Sequence, residues 1–220
     1  MCKNKINLEL VKAGFANGIA EGRPLTTAEK GIMIAEAEIA FGQFLDALKV
    51  NWREDPNSDK TPFRVAKAYV NDLWAGRYEA PPSITTFPSD GYDGMVFEGG
   101  IPLTSMCSHH HQTIMGKVHV AYIPGKDSQV IGLSKLNRLV EHFGRRGAIQ
   151  EQLTVAIHHA VNSIIEDNMG VAVMIDATHN CVQCRGVKHG GASMKTSKLT
   201  GAFKDDAATR NEYYEFVRGY

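Results

Sequence analysis

The sequence predicts an α+β protein, with a helical N-terminal part followed by strand pairs that flank a pair of helices. Three observations predict it. Ile32, Ala35, Ile39 and Leu45 recur at helical intervals behind Thr26 and Glu29, which have capping-box spacing. Lys117-Val118-His119-Val120-Ala121-Tyr122-Ile123 alternates as a half-buried strand does and ends at Pro124-Gly125. Leu136, Leu139, Val140 and Phe143 form one helical stripe and Leu153, Ile157, Val161 and Ile164 a second, with Gly147 between them.

Taken in order, the first helix is expected to run to about Lys49, with residues 53–60 as a polar break. Thr61-Pro62 reads as an N-cap followed by proline at the first helical position, opening a short helix through Val65, Tyr69 and Leu73 that stops at Gly76. Tyr78 to Gly94 contains three prolines and two glycines without periodicity, and divides the chain into a helical region and linker, 1–94, and a sheet-bearing region, 95–220. Met95 to Met106 is expected to pair with the alternating strand. After the two central helices, Val171 to Asp176 and Val182 to Val187 read as another strand pair, and Ala207 to Val217 as a terminal helix. So few strands leave exposed edges, a pairing hazard that closure with neighbouring chains into a barrel would remove.

Composition excludes several function classes. Lys plus Arg and Asp plus Glu are both 24, so no net charge draws the chain to nucleic acid or anionic lipid, and an anionic ligand needs a local cluster of bases. No stretch approaches the ~20 apolar residues of a membrane span, and Met1-Cys2-Lys3-Asn4-Lys5 is not followed by the apolar run of an export signal, so a cytoplasmic location is expected. Four cysteines in a reducing compartment are candidates for metal ligation, catalysis or packing rather than a disulfide framework.

The strongest chemical signal is Cys107-Ser108-His109-His110, answered by His179-Asn180-Cys181. Thiolate and imidazole are preferred zinc ligands, and Cys107, His110 and Cys181 would leave a fourth position for water, the mark of a catalytic zinc. Such an ion brings the pKa of its water from ~15.7 to about 7. His109 and His179 would then stand beside it as proton donors and acceptors. Spacing alone leaves zinc and plain core packing equally open.

These clusters, together with Gly132-Leu133-Ser134-Lys135-Leu136-Asn137-Arg138, Gln150-Glu151-Gln152-Leu153 and Arg185-Gly186, resemble GTP cyclohydrolase I. The likeness runs from Thr61-Pro62-x-Arg64-Val65-Ala66-Lys67 to Thr209-Arg210-Asn211-Glu212, with its motifs in order. It implies the T-fold, an antiparallel four-stranded sheet of ββααββ order behind an N-terminal helical extension, and protomers that close into a multi-subunit barrel, two pentamers forming a homodecamer. It assigns Cys107, His110 and Cys181 to Zn2+, and His109 and His179 to proton transfer. Glu151 with Gln150 would hold the guanine, since a carboxylate can accept from the ring N–H and the exocyclic amine together. Arg64, Lys67, Leu133, Ser134, Lys135, Arg138 and Arg185 would bind the triphosphate and ribose. The implied reaction is hydrolytic opening of the imidazole ring of GTP, with formate leaving and 7,8-dihydroneopterin triphosphate formed.

One departure stands out: where the family has glutamate between the zinc cysteine and the histidine pair, this chain has Ser108. A carboxylate beside a metal ligand is worth about 10- to 100-fold in affinity or activity. Ser108 supports a rival reading as a silent GTP-binding homologue. A second rival, the T-fold nitrile reductase of 7-deazaguanine metabolism, would use a cysteine and NADPH without zinc. His111, Cys184 and Cys2 are expected to be non-ligands, and His158-His159 a surface or interface feature.

Overall fold

The computed structural model describes residues 11–12 and 21–220; Cys2 lies outside the described residues. A short antiparallel pair, β1 (Val11–Lys12) and β2 (Glu21–Gly22), precedes helix α1 (Thr27–Ala47). The expected capping box is present: the Thr26 hydroxyl accepts from the Glu29 amide, and the Glu29 carboxylate accepts from the Thr26 amide at 2.8 Å. Arg23 also grips that carboxylate, and its hydrogen bond is the main reason the Glu29 pKa falls to about 2. Gly42 is the buried residue of α1, where a side chain would run into the Trp52 ring.

Helix α2 (Thr61–Ala68) begins one residue earlier than expected, with Lys60 as its N-cap and Thr61-Pro62 inside the first turn. Proline is tolerated there because amides of the first turn have no partner within the helix. The chain then widens into a π-helical turn over Tyr69–Leu73, closed by the Trp74 amide donating to the Tyr69 carbonyl, and resumes as α3 (Ala75–Tyr78). Gly76 therefore does not stop the helix. It allows close approach: a Cβ there would lie 2.0 Å from the His142 carbonyl oxygen. The same junction is tied by Arg77 Nε donating to the Arg146 carbonyl and Arg146 Nε donating to that of Gly76.

Beyond it come β3 (Thr86–Pro88), β4 (Val96–Met106), β5 (Thr113–Ile123), β6 (Gln129–Ile131), α4 (Leu133–Gly144), α5 (Gln150–Ile164), β7 (Gly170–His179), α6 (Asn180–Gln183), β8 (Ser193–Leu199), α7 (Ala202–Asp205) and α8 (Ala207–Arg218). Strands β4, β5, β7 and β8 form one antiparallel sheet in that order. Strand β3, within the stretch read as a linker, pairs with β6. The architecture is α+β with antiparallel sheets.

The two helical stripes read from sequence pack on one face of the four-stranded sheet. Leu136, Leu139 and Val140 from α4 and Leu153, Ile157 and Val161 from α5 meet Val118, Val120, Tyr122, Val173 and Ile175 in the main core. On the other face, Ala121 and Ala172 meet Phe203 of α7 and Tyr213 of α8, whose N-cap Asp206 accepts from the Thr209 amide. The alternation of β5 thus feeds two cores, large residues to one side and Ala121 to the other.

The last strand corrects the sequence reading. Residues expected as a strand at 182–187 begin inside helix α6, and Val187 is 82% exposed. The true partner of β7 is β8, Ser-Met-Lys-Thr-Ser-Lys-Leu. Its inner side meets polar residues of α5, so the apolar alternation that marks a strand is missing: Gln150 Nε2 donates to the Met194 carbonyl and Thr196 Oγ1, and His158 pairs with Thr200 Oγ1 at 3.0 Å. His158 is correspondingly buried rather than a surface feature, while His159 is exposed.

Candidate active site

The sheet register builds the site. Ile114 near the start of β5 lies opposite His179 at the end of β7, so the loop before β5 and the turn after β7 are neighbours. That loop, residues 107–112, is closed tightly by the Cys107 amide donating to the Gln112 carbonyl and the His111 amide donating to the Cys107 carbonyl. His111 takes up the strained left-handed conformation at φ 51°. Asn180 Nδ2 donates to Thr113 Oγ1 at 2.5 Å, clasping α6 to the strand.

Within this clasp the side chains of Cys107 and Cys181 are neighbours, Cys181 packing against the core that contains Cys107. Burial, and then the Cys107 thiol, push the Cys181 pKa up, while the Arg185 guanidinium pulls it back toward thiolate. Two thiols brought together in this way are donors that suit zinc or another soft divalent ion. His110, three residues on, is exposed and lines a cavity of about 520 Å³ with Phe41 and Phe44 of α1, Val65 of α2 and Tyr69. Among the described residues no three His, Cys, Asp or Glu side chains already converge on one point, so Cys107, His110 and Cys181 do not form a ready-made cluster. Among the described residues the Ser108 hydroxyl is enclosed without a partner. Cys184 is exposed, its Sγ donating to the Asn180 carbonyl at 2.7 Å.

His109 is exposed. His179 is half-buried, and burial lowers its pKa while the Glu151 carboxylate raises it. Its Nε2 lies 2.7 Å from Gln150 Oε1. Gln150, 1% exposed, is committed to this contact and to the sheet, whereas Glu151 in the first turn of α5 faces solvent. The two neighbours read together as base-holding residues are thus separated by burial.

Leu133, Ser134 and Lys135 form the first turn of α4, with Leu133 and Ser134 exposed and Arg138 exposed one turn on. Unpaired amides and bases at a helix N-terminus favour an anion. Arg64 and Lys67 are exposed on α2, where Arg64 donates to the Asn57 carbonyl. Among the described residues no hydrogen bond or ion pair joins either to Lys135, Arg138 or Arg185.

Sequence reasoning missed the supports. Thr154 and Thr196 brace Gln150, and a π-helical turn brings Tyr69 to His111, whose Nδ1 is 3.2 Å from the Tyr69 hydroxyl. One signal was available for the first: Gln150, Thr154 and His158 are four apart, a polar stripe on one helix face. Nothing in the sequence marks the π turn.

Comparison with known proteins identifies the family. The GTP cyclohydrolase I family model matches residues 37–218. GTP cyclohydrolase 1 of Haemophilus ducreyi is 39% identical over 215 residues, covering 97% of this chain and 95% of that protein. The enzyme of the same name from Yersinia enterocolitica is 44% identical, covering 80% of this chain and 79% of its own length, and that of Corynebacterium glutamicum 42%, covering 76% and 86%. Among solved structures, the archaeosine synthase QueF-Like in the apo form aligns with a TM-score of 0.37 and 16% identity over 56% of this chain and 97% of that one. With a family match over most of the chain and relatives near 40% identity across it, the protein belongs to the GTP cyclohydrolase I family.

Proposed function

We propose that this chain is a zinc-dependent GTP cyclohydrolase I, which opens the imidazole ring of GTP with release of formate and yields 7,8-dihydroneopterin triphosphate. The observation that carries the reading is the meeting of the Cys107 and Cys181 side chains, from the loop after β4 and from α6 just after β7, beside a half-buried His179 in a chain of that family. Cys107, Cys181 and His110 would hold zinc. Zinc bound there supplies Lewis-acid chemistry, making water acidic enough to act near neutral pH.

The chain's own residues do the rest. Glu151, exposed at the first turn of α5, accepts hydrogen bonds from the guanine N1–H and exocyclic amine, a donor pair adenine cannot offer. The amides of Leu133 and Ser134 at the start of α4, with the Lys135, Arg138 and Arg185 side chains, take the phosphates. His109 and His179 move protons to and from the opening ring.

Arg64 and Lys67 sit on the helical side and join the phosphate cluster from a neighbouring subunit in this reading. Residues 95–220 form the T-fold catalytic region, whose edge strands β4 and β8 pair with other protomers to close a barrel, two pentamers making a decamer. A neutral chain has no general attraction for GTP, so a cluster divided between subunits ties activity to assembly.

Purified protein given GTP should release formate and a pterin triphosphate, and Glu151→Ala should lose both GTP binding and turnover while keeping its metal. Absence of formate from the native protein would refute the activity. Unchanged GTP kinetics in Glu151→Ala would remove Glu151 from the site.

A further inference from the structure

Gln150 has the environment of a part rather than of a contact residue. It opens α5 but is 1% exposed, and its side chain reaches under the sheet to β7 and β8. The two N–H groups of Nε2 face three acceptors, the Ile175 carbonyl at 3.1 Å, the Met194 carbonyl at 2.9 Å and the Thr196 hydroxyl at 3.1 Å, so one N–H is shared between two of them. Oε1 is left facing His179 Nε2 at 2.7 Å.

The amide can sit only one way round. Turned over, it would set Oε1 against two backbone carbonyl oxygens, lone pair to lone pair, and take the amide donor away from both. The hydroxyls around it run in one consistent order. Thr154 Oγ1 donates to the Gln150 carbonyl at 2.8 Å; Thr196 Oγ1, accepting from Gln150, donates to Thr154 Oγ1 at 2.7 Å. Every donor is used once its direction is fixed. Since Oε1 can only accept, the proton between Gln150 and His179 belongs to the histidine.

We propose that Gln150 is a positioning residue that fixes the His179 ring and its tautomer, holding the proton on Nε2 so that Nδ1 is the nitrogen that exchanges a proton with the substrate. Nδ1 has no hydrogen-bond partner among the described residues, which leaves its lone pair free. When Nδ1 takes a proton, the positive ring keeps its bond to Oε1, which strengthens because the donor is now charged. The proton returns from Nδ1, and the Nε2 proton never leaves. Gln150 does this without touching the base, which falls to Glu151 alone. This rests on the proposed role of His179 in ring opening.

The test uses native protein and Gln150→Met, which keeps length and bulk but cannot accept from the ring. The nitrogen signals of the nine histidines are read by magic-angle-spinning NMR on 15N-histidine-labelled protein, with His179 identified by its loss in His179→Gln. Native His179 should carry its proton on Nε2, and Gln150→Met should show a mixture of tautomers. Turnover should fall about 10- to 100-fold with KM for GTP held within about twofold, since orientation and not binding is lost. A rise in KM at constant kcat with the tautomer unchanged would overturn the proposal and return Gln150 to base binding. Should Gln150→Met fail to fold, the native spectrum decides, because a proton on Nδ1 contradicts the mechanism outright. If native protein proves inactive on GTP, the activity reading fails while the tautomer result still judges Gln150.

Discussion

Helices α5 and α1 end in opposite states. Helix α5 buries Gln150, Leu153, Thr154, Ile157, His158 and Val161, its apolar stripe against the sheet and its polar stripe bonded to β8. Helix α1, the longer of the two, buries Gly42 alone and presents Ile39, Phe44 and Leu48 to solvent beside the cavity that His110 lines. The two halves of the site follow their helices. His179 and Gln150, on the α5 side, are held by the fold of one chain. The proposed metal donors are not: Cys107, Cys181 and His110, which lines the cavity beside α1, do not converge among the described residues. The difference teaches that one chain preorganises the His179–Gln150 half by itself, while the other half, in the proposed reading, is left for a metal and neighbouring subunits to complete.

The comparison breaks most readily at α1. Phe44→Asp places a charge on the open face and should dissociate the proposed assembly, taking turnover with it, whereas its effect on protomer stability should stay within about 0.5 kcal/mol. Sedimentation and formate release, measured together over a dilution series, check this. A fully active monomer would show that α1 needs no neighbour.

The closed side should respond in the opposite sense. Ile157 is 0% exposed in the main core, so Ile157→Ala should cost about 2–5 kcal/mol in denaturant unfolding through lost burial and a cavity. Ile39, 64% exposed, should tolerate alanine with little change in protomer stability. Equal costs at the two positions would erase the contrast.

Acid sharpens it further. Burial pushes His158 and His142 down to about 4; the neighbouring charges of His159 and Lys198 act on the first, and those of Arg146 and Glu79 on the second. In the unfolded chain both titrate near the ordinary 6.5. Above that pH neither state binds a proton and stability is flat. Between 6.5 and about 4 the unfolded chain gains protons the folded chain refuses, so stability falls as pH falls, by up to about 1.4 kcal/mol per pH unit for each histidine. His158→Leu should remove roughly half of that decline, read as unfolding midpoints from pH 7 to 4.5. An unchanged slope would show that His158 is not buried neutral.

Much of this was legible in the residues themselves. Thr26 and Glu29 announce the start of α1, and the stripes from Leu136 and Leu153 place α4 and α5, because caps and apolar periods are local signals. Strand β8 was not legible: an edge strand packed on Gln150, Thr154 and His158 has no apolar period to show. The same physics hid the role of Gln150, since a buried amide and an exposed one are the same letter and only the carbonyls around it tell them apart. The cysteines were visible as a pair because their residue type is rare, but their meeting depends on the β5–β7 register.

The most direct test of the central claim is the zinc content of purified protein set beside formate release from GTP, for the native chain and for Cys181→Ser. The account predicts one zinc per protomer and turnover in the native enzyme, with both lost when one of three donors is replaced by a poor one. Metal-free protein that still releases formate, or Cys181→Ser that turns over normally, would contradict it.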